Sequence, residues 1–140
     1  MVKIRVVYEG GLHCRSVHEP SGSVLATDAP KDNLGKGEGF SPTDLVATAL
    51  VTCMLTTMGI YAMRHSLVFE GASAEVEKEM AAAPLRRIAR LGVRIQMPAG
   101  LTAEARQHLE RVALGCPVQK SLGSDVERPV LFLYPDEPSI

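Results

Sequence analysis

The sequence predicts an α+β protein, and three observations carry that expectation. Strand-like and helix-like segments come in blocks rather than in strict alternation. Residues 45–63 run for 19 positions without a charge, directly behind a well-formed helix start. Finally, 46% of the 140 residues are apolar at a net charge of −1, which supplies a core and argues against disorder. One domain over residues 1–140 is the expectation at this length.

The elements follow in order. Residues 2–9 alternate around Ile4, Val6 and Tyr8 as a strand does, and Gly10-Gly11 makes the turn after it. Residues 12–19 and 23–28 read as two more short strands, with Pro20-Ser21-Gly22 as the turn between them. Residues 29–39 form a loop rich in Gly and charge. Ser41 is a suitable N-cap, Pro42 suits the first helical position, and Asp44 sits where a capping box places its acid. That long helix is expected to end near Arg64 or His65, where basic residues meet the negative end of its dipole. Residues 68–80 alternate, and residues 87–97 carry Ile88, Leu91, Val93 and Ile95, so the two predict a strand pair turned at 81–84. A helix over 102–114 places Leu109, Val112 and Ala113 on one face and stops at Gly115. Cys116-Pro117 opens a short helix over 118–122, and a strand over 128–134 precedes an acidic, Pro-containing tail. The order is β-β-β-α-β-β-α-α-β. Arg64-His65, Lys78 and Arg86-Arg87 read as solvated or helix-end charges, and His108 as a partly exposed mid-helix residue.

Several classes of function fall away. A charge of −1, three Tyr and three Phe give neither the electrostatic footprint nor the stacking surface of a nucleic-acid binder. The Gly35-Lys36-Gly37-Glu38-Gly39 loop is not a phosphate loop, because no Gly-Lys-Ser/Thr opens the helix behind it. The N-terminus lacks the apolar core and cleavage site of a signal peptide. The uncharged segment would span roughly 28 Å as a helix, close to the bilayer core. Thr48, Thr52, Thr56, Thr57 and Gly59 within it, and the lack of flanking basic clusters, favour a buried core helix of a small domain or dimer over a membrane span.

Three cysteines cannot all pair within one chain and are too few for a secreted disulfide scaffold, so a reducing, cytoplasmic setting is expected. Cys53 lies mid-helix beside Ala49, Leu50, Thr56 and Thr57, where it reads equally as a small core residue. Cys116 stands at a helix N-cap, where unpaired N–H groups and the dipole favour a thiolate. A bond between them, 63 positions apart, would need their Cα atoms within roughly 7 Å. Cys14, in His13-Cys14-Arg15, reads as a half-buried strand residue. His13 and His18 are five apart and point to opposite faces of a strand, which argues against a metal site.

Gly39-Phe40-Ser41-Pro42-Thr43-Asp44-Leu45 running into a small-residue helix with Cys53, together with Gly115-Cys116-Pro117-Val118-Gln119-Lys120-Ser121-Leu122, resembles the osmotically inducible protein C and organic hydroperoxide resistance family (OsmC/Ohr). The resemblance covers essentially the whole chain. It implies an OsmC-like fold with a long buried central helix in an intertwined homodimer. It also implies a thiol peroxidase for small organic hydroperoxides, without a cofactor, in which Cys53 matches the peroxidatic and Cys116 the resolving thiol. The reductant it implies is a dithiol, such as a lipoylated protein. The family further places an Arg from the N-terminal sheet beside the peroxidatic thiol, oriented by a carboxylate near the start of the long helix. Here Arg15 is the best match, but it stands about three positions from the family's Gly-Gly-Arg, which is Gly10-Gly11-Leu12 in this chain. The acid departs too: the position ten before Cys53 is Thr43, and Asp44 is the only acid on that turn. Asp44 would lie roughly 13.5 Å along the helix from Cys53 and on its opposite side, so it would act through Arg15 or from a second subunit. These departures leave a second expectation open: a catalytically divergent OsmC-like dimer whose pocket binds a small apolar or thiol-bearing ligand.

Overall fold

The computed structural model describes residues 1–136, so the end of the acidic tail, residues 137–140, lies outside the described residues. The chain divides into two compact units, residues 1–46 and 47–140.

The first unit is a three-stranded antiparallel sheet of β1 (Ile4–Gly10), β2 (His13–His18) and β3 (Val24–Asp28), in that spatial order. The β1–β2 turn is a run of three left-handed residues, Gly10 (φ 85°), Gly11 (φ 60°) and Leu12 (φ 62°). The two glycines adopt this without Cβ strain, and Leu12 is carried along with them. The expected loop at 29–39 contains one 3₁₀ turn, Lys31–Asn33, and folds back on itself through Gly35 N–H to Pro30 O (3.0 Å) and Gly37 N–H to Ala29 O (3.2 Å). A Cβ on Gly35 would sit 1.7 Å from Ala29 O, so no larger residue fits there. The sheet exposes Ile4, Val6, Tyr8, Val24 and Leu25.

Helix α1 (Pro42–Arg64) starts as the sequence predicts. Ser41 N–H donates to Asp44 Oδ2 (2.9 Å) and Asp44 N–H donates to Ser41 Oγ (3.1 Å), a complete reciprocal capping box. The helix is long and apolar enough to cross a bilayer by length and composition, and one-third (33%) of its most apolar window is buried within the chain. Burial is one-sided: Ala47, Leu50, Val51, Met54, Met58 and Ala62 form the buried stripe, whereas Thr52, Thr56, Ile60 and Met63 are exposed.

In the second unit, β4 (Ser73–Ala81), β5 (Arg87–Gln96) and β6 (Val130–Leu133) form a sheet in that order, β4–β5 antiparallel and β5–β6 parallel. Strand β4 starts five residues later than the alternation suggests, because Glu70-Gly71 forms a turn with Gly71 at φ 93°. Helix α2 (Ala103–Leu114) is capped by Thr102, whose hydroxyl accepts Ala105 N–H at 3.1 Å. Helix α3 is Pro117–Ser121. The core draws Leu50, Met54 and Met58 from α1, Leu91, Val93 and Ile95 from β5, and Leu109 and Ala113 from α2. Lys78 corrects the sequence reading: it is half-buried on the same face of β4 as Val76 and Met80, not fully solvated. Arg87 is half-buried as well, donating to Asp125 O at 3.0 Å.

Leu109 has no exposed surface, so Leu109→Ala should cost about 3 kcal/mol of unfolding free energy. Leu114→Ala, on the exposed side of the same helix, should cost under about 0.5 kcal/mol. Urea unfolding of both variants checks the contrast.

Candidate active site

Two thiols far apart in sequence meet in the second unit. Cys53 lies in the middle of α1, half-buried between the buried stripe and the exposed face. The helix continues past it in register, with Thr57 Oγ–H donating to Cys53 O at 2.7 Å. Cys116 is wholly buried. Helix α2 ends at Gly115, whose N–H bonds to Arg111 O at 3.1 Å, and Cys116 N–H then bonds to Ala113 O at 3.2 Å. Cys116 itself is extended (φ −64°, ψ 153°), as an N-cap residue must be, and Pro117 takes the first position of α3. Its Sγ accepts the Gln119 N–H at 3.4 Å, a sulfur doing the work of a capping hydroxyl.

The Cys116 thiol is pushed above the ordinary thiol range. Burial is the largest cause, and hydrogen bonding and charge interaction with Cys53 raise it further, against the lowering effect of the Gln119 and Val118 N–H groups. The expected effect of the N–H groups at this helix start is present, but it does not set the net direction. The helix terminus does stabilise the anion, but loss of water outweighs it. Cys53 therefore lies near enough to Cys116 to act on its ionisation, and both are free thiols.

Arg15 lies on β2, opposite Val7 on one side and Ala26 on the other, and is exposed. Among the described residues no acid pairs with it, so the expected orientation of Arg15 by Asp44 is not seen. Asp44 instead holds the Ser41 N–H in the α1 cap. Cys14 is half-buried on β2, as the sequence suggests. His13 Nδ1 meets Asp28 Oδ1 at 2.6 Å, which, with the nearby Asp28, Glu9 and Glu38 charges, raises its pKa. His18 bonds to Ser21 Oγ at 2.6 Å. Among the described residues no group of three or more His, Cys, Asp or Glu could hold a metal ion.

Sequence reasoning passed over Gln119 and Arg128. Gln119 provides the N–H that holds Cys116 Sγ, and its side-chain Oε1 accepts Arg128 Nε–H at 2.9 Å. The signal was present: Gln stands at the third helical position behind the N-cap, where a capping box places Glu or Gln.

The sequence profile described as OsmC-like protein matches residues 35–128. A solved Psychrobacter arcticus 273-4 structure, described as a candidate osmotic stress induced and detoxification response protein, is 41% identical, with 95% of this chain and 96% of that one covered and a TM-score of 0.89. The chain belongs to the OsmC-like family. A Legionella pneumophila structure described as an organic hydroperoxide resistance protein OsmC is 17% identical over 94% of this chain and 96% of that one, with a TM-score of 0.76. An OsmC-like protein from Mycoplasma pneumoniae is 15% identical over 96% of each chain, with a TM-score of 0.81. These two likenesses concern the fold, and the α+β OsmC-like architecture is common to all three. A comparison with curated proteins found no match.

The raised Cys116 value makes a pH prediction for this OsmC-like chain. The folded state keeps a proton that the unfolded state gives up first, so the stabilisation is full below the ordinary thiol range. It is lost as pH rises through the folded value. Urea midpoints measured from pH 7 to pH 10 should therefore fall more steeply for the wild type than for Cys116→Ala. Parallel curves would refute the assignment.

Proposed function

We propose that this OsmC-like chain is a thiol-dependent peroxidase for small organic hydroperoxides, Cys53 being the peroxidatic and Cys116 the resolving thiol. The observation that carries the reading is the nearness of two free thiols from separate elements, one half-buried and one buried, close enough that Cys53 acts on the ionisation of Cys116. The Cys53 sulfur attacks the distal peroxide oxygen, the O–O bond breaks, and the alcohol leaves. Cys53 then carries a sulfenic acid. The Cys116 sulfur attacks it, the S–O bond breaks, and the oxygen departs as water with the Cys116 proton, leaving a disulfide. A dithiol reductant, such as a lipoylated protein, returns both thiols and is itself oxidised to a disulfide. The name of the Legionella structure, an organic hydroperoxide resistance protein, supports this substrate class.

In this reading residues 1–140 form one OsmC-like domain in a cytoplasmic, intertwined homodimer. Ile4, Val6 and Tyr8 of the first unit and Ile60 and Met63 of α1 are exposed, and a second copy would cover apolar surface of this kind. Arg15 is the cation proposed to serve Cys53. Asp44 is proposed to act from its cap, either through Arg15 in a rearranged state or from the second subunit. A second reading, a divergent dimer that binds a small apolar or thiol-bearing ligand, is favoured by the engagement of Asp44 in the α1 cap and the lack of an acid on Arg15 among the described residues.

With tert-butyl hydroperoxide and a dithiol, Cys53→Ser should lose at least about 100-fold in turnover, while Cys116→Ser should accumulate a trappable sulfenic acid on Cys53. Intact mass after stoichiometric peroxide should show the wild type losing two hydrogens through a Cys53–Cys116 link. Undiminished turnover in Cys53→Ser would sink the peroxidase reading, and an unreactive wild type would favour the binder.

A further inference from the structure

Helix α3 has five residues, too few to hold its own shape in water. Its N-cap acceptor is a thiol sulfur, a weak one. Something outside the helix must therefore fix Cys116, and the hydrogen bonds identify it. Arg128 Nε–H donates to Gln119 Oε1 at 2.9 Å, while its Nη1 donates to Gly123 O at 2.7 Å and Val126 O at 2.9 Å. One guanidinium thus ties α3 to the turn that follows it.

The base of this clamp is itself held by the sheet. On one side of Arg128, Glu127 N–H donates to Ala89 O (2.9 Å) and Leu91 N–H donates to Glu127 O (2.8 Å). On the other, Val93 N–H donates to Pro129 O (2.9 Å). The clamp is available because the capping box at Cys116 is only half used. In a full box the Gln side chain would return to the N-cap N–H. Here Ala113 O already takes the Cys116 N–H, so the Gln119 amide can reach Arg128.

We infer that Arg128, acting through Gln119, is a positioning residue for Cys116 that holds its sulfur against Cys53 and so sets how fast the disulfide closes. The inference rests on the peroxidase reading for its consequence, though not for its geometry. Closure is the step written above, in which the Cys116 sulfur displaces the Cys53 sulfenic oxygen as water. A slower closure leaves the sulfenic acid exposed to a second hydroperoxide, which carries Cys53 to sulfinic acid. Lysine cannot replace Arg128, because a point-like ammonium cannot serve three acceptors in one planar fork.

The test uses two measurements. The first needs no peroxide chemistry: the iodoacetamide alkylation rate of Cys116 in a Cys14→Ser, Cys53→Ser background. Adding Arg128→Ala or Gln119→Leu should raise it by about fivefold or more, because release of α3 exposes a wholly buried sulfur. The second is the ratio of sulfinic acid to disulfide on Cys53, read by mass at equal extents of Cys53 oxidation in chains with both thiols. Arg128→Ala and Gln119→Leu should each raise that ratio at least threefold. The double variant should match the singles, as one shared path requires, and Gln119→Glu, which keeps an oxygen for Nε–H, should restore the wild-type ratio. Alkylation and ratio both unchanged in Gln119→Leu, a folded variant by urea unfolding, would overturn the inference. If alkylation rises but no variant or wild type forms a disulfide, the positioning role stands and the peroxidase reading falls.

Discussion

The constraint on which the rest depends is the meeting of two sulfurs that no local structure could bring together. Cys53 and Cys116 are 63 positions apart, on a long helix and at the start of a short one. Each helix end and strand between them contributes to the distance they finally keep. Leu50 and Met54, on either side of Cys53 along α1, are wholly buried, and so is Cys116. Interiors are close-packed, so a sulfur set among such residues has little room to drift. Precision at the site is therefore a product of the core rather than of a flexible loop.

The long helix shows why its sequence admits two descriptions. Without a charge from 45 to 63, it is apolar on all sides by composition. In the fold one stripe is buried and another is not, and the half-buried residues dividing them include Cys53, Thr57 and Gly59 as well as Leu55. Thr52 and Thr57 return their hydroxyls to the carbonyls of Thr48 and Cys53, so they present methyl groups without leaving a donor unsatisfied. Such a surface is apolar and carries no charge from residue 45 to residue 63.

Much of the fold was legible because its signals are local. The Ser41–Asp44 box, Pro42, Thr102 and Cys116-Pro117 marked helix starts within a residue, and alternation, apolar runs and turn residues together located the strands β1 to β6. The misses have physical causes. Alternation before Ser73 continues into a turn that Gly71 makes left-handed, a feature invisible to periodicity. Lys78 sits at an inward strand position, yet its charge suggested solvent. The pairing of Cys53 with Cys116 as neighbours was foreshadowed by their helical contexts joined to the family pattern. Arg128 was not, because its role depends on bonds reaching nine residues back to Gln119 and on the neighbouring sheet.

Under the peroxidase reading proposed above, the unequal surroundings of the thiols also bear on how the pair would work. A buried thiol that resists ionisation would, in that reading, keep its proton while its neighbour reacts. That suits a second-acting sulfur. An early thiolate at Cys116 would compete for the oxidant. Once an oxygen is bonded to Cys53, the requirement changes, since the departing oxygen needs a proton to leave as water. Cys116 then holds both the attacking sulfur and that proton. In that reading burial would delay its ionisation until the sulfenic acid gave the proton a destination. On this view the N-cap hydrogen bond from Gln119 has a limited task. It does not make a standing thiolate, for burial defeats that. In the proposed reaction it would steady the sulfur's charge while the new bond forms.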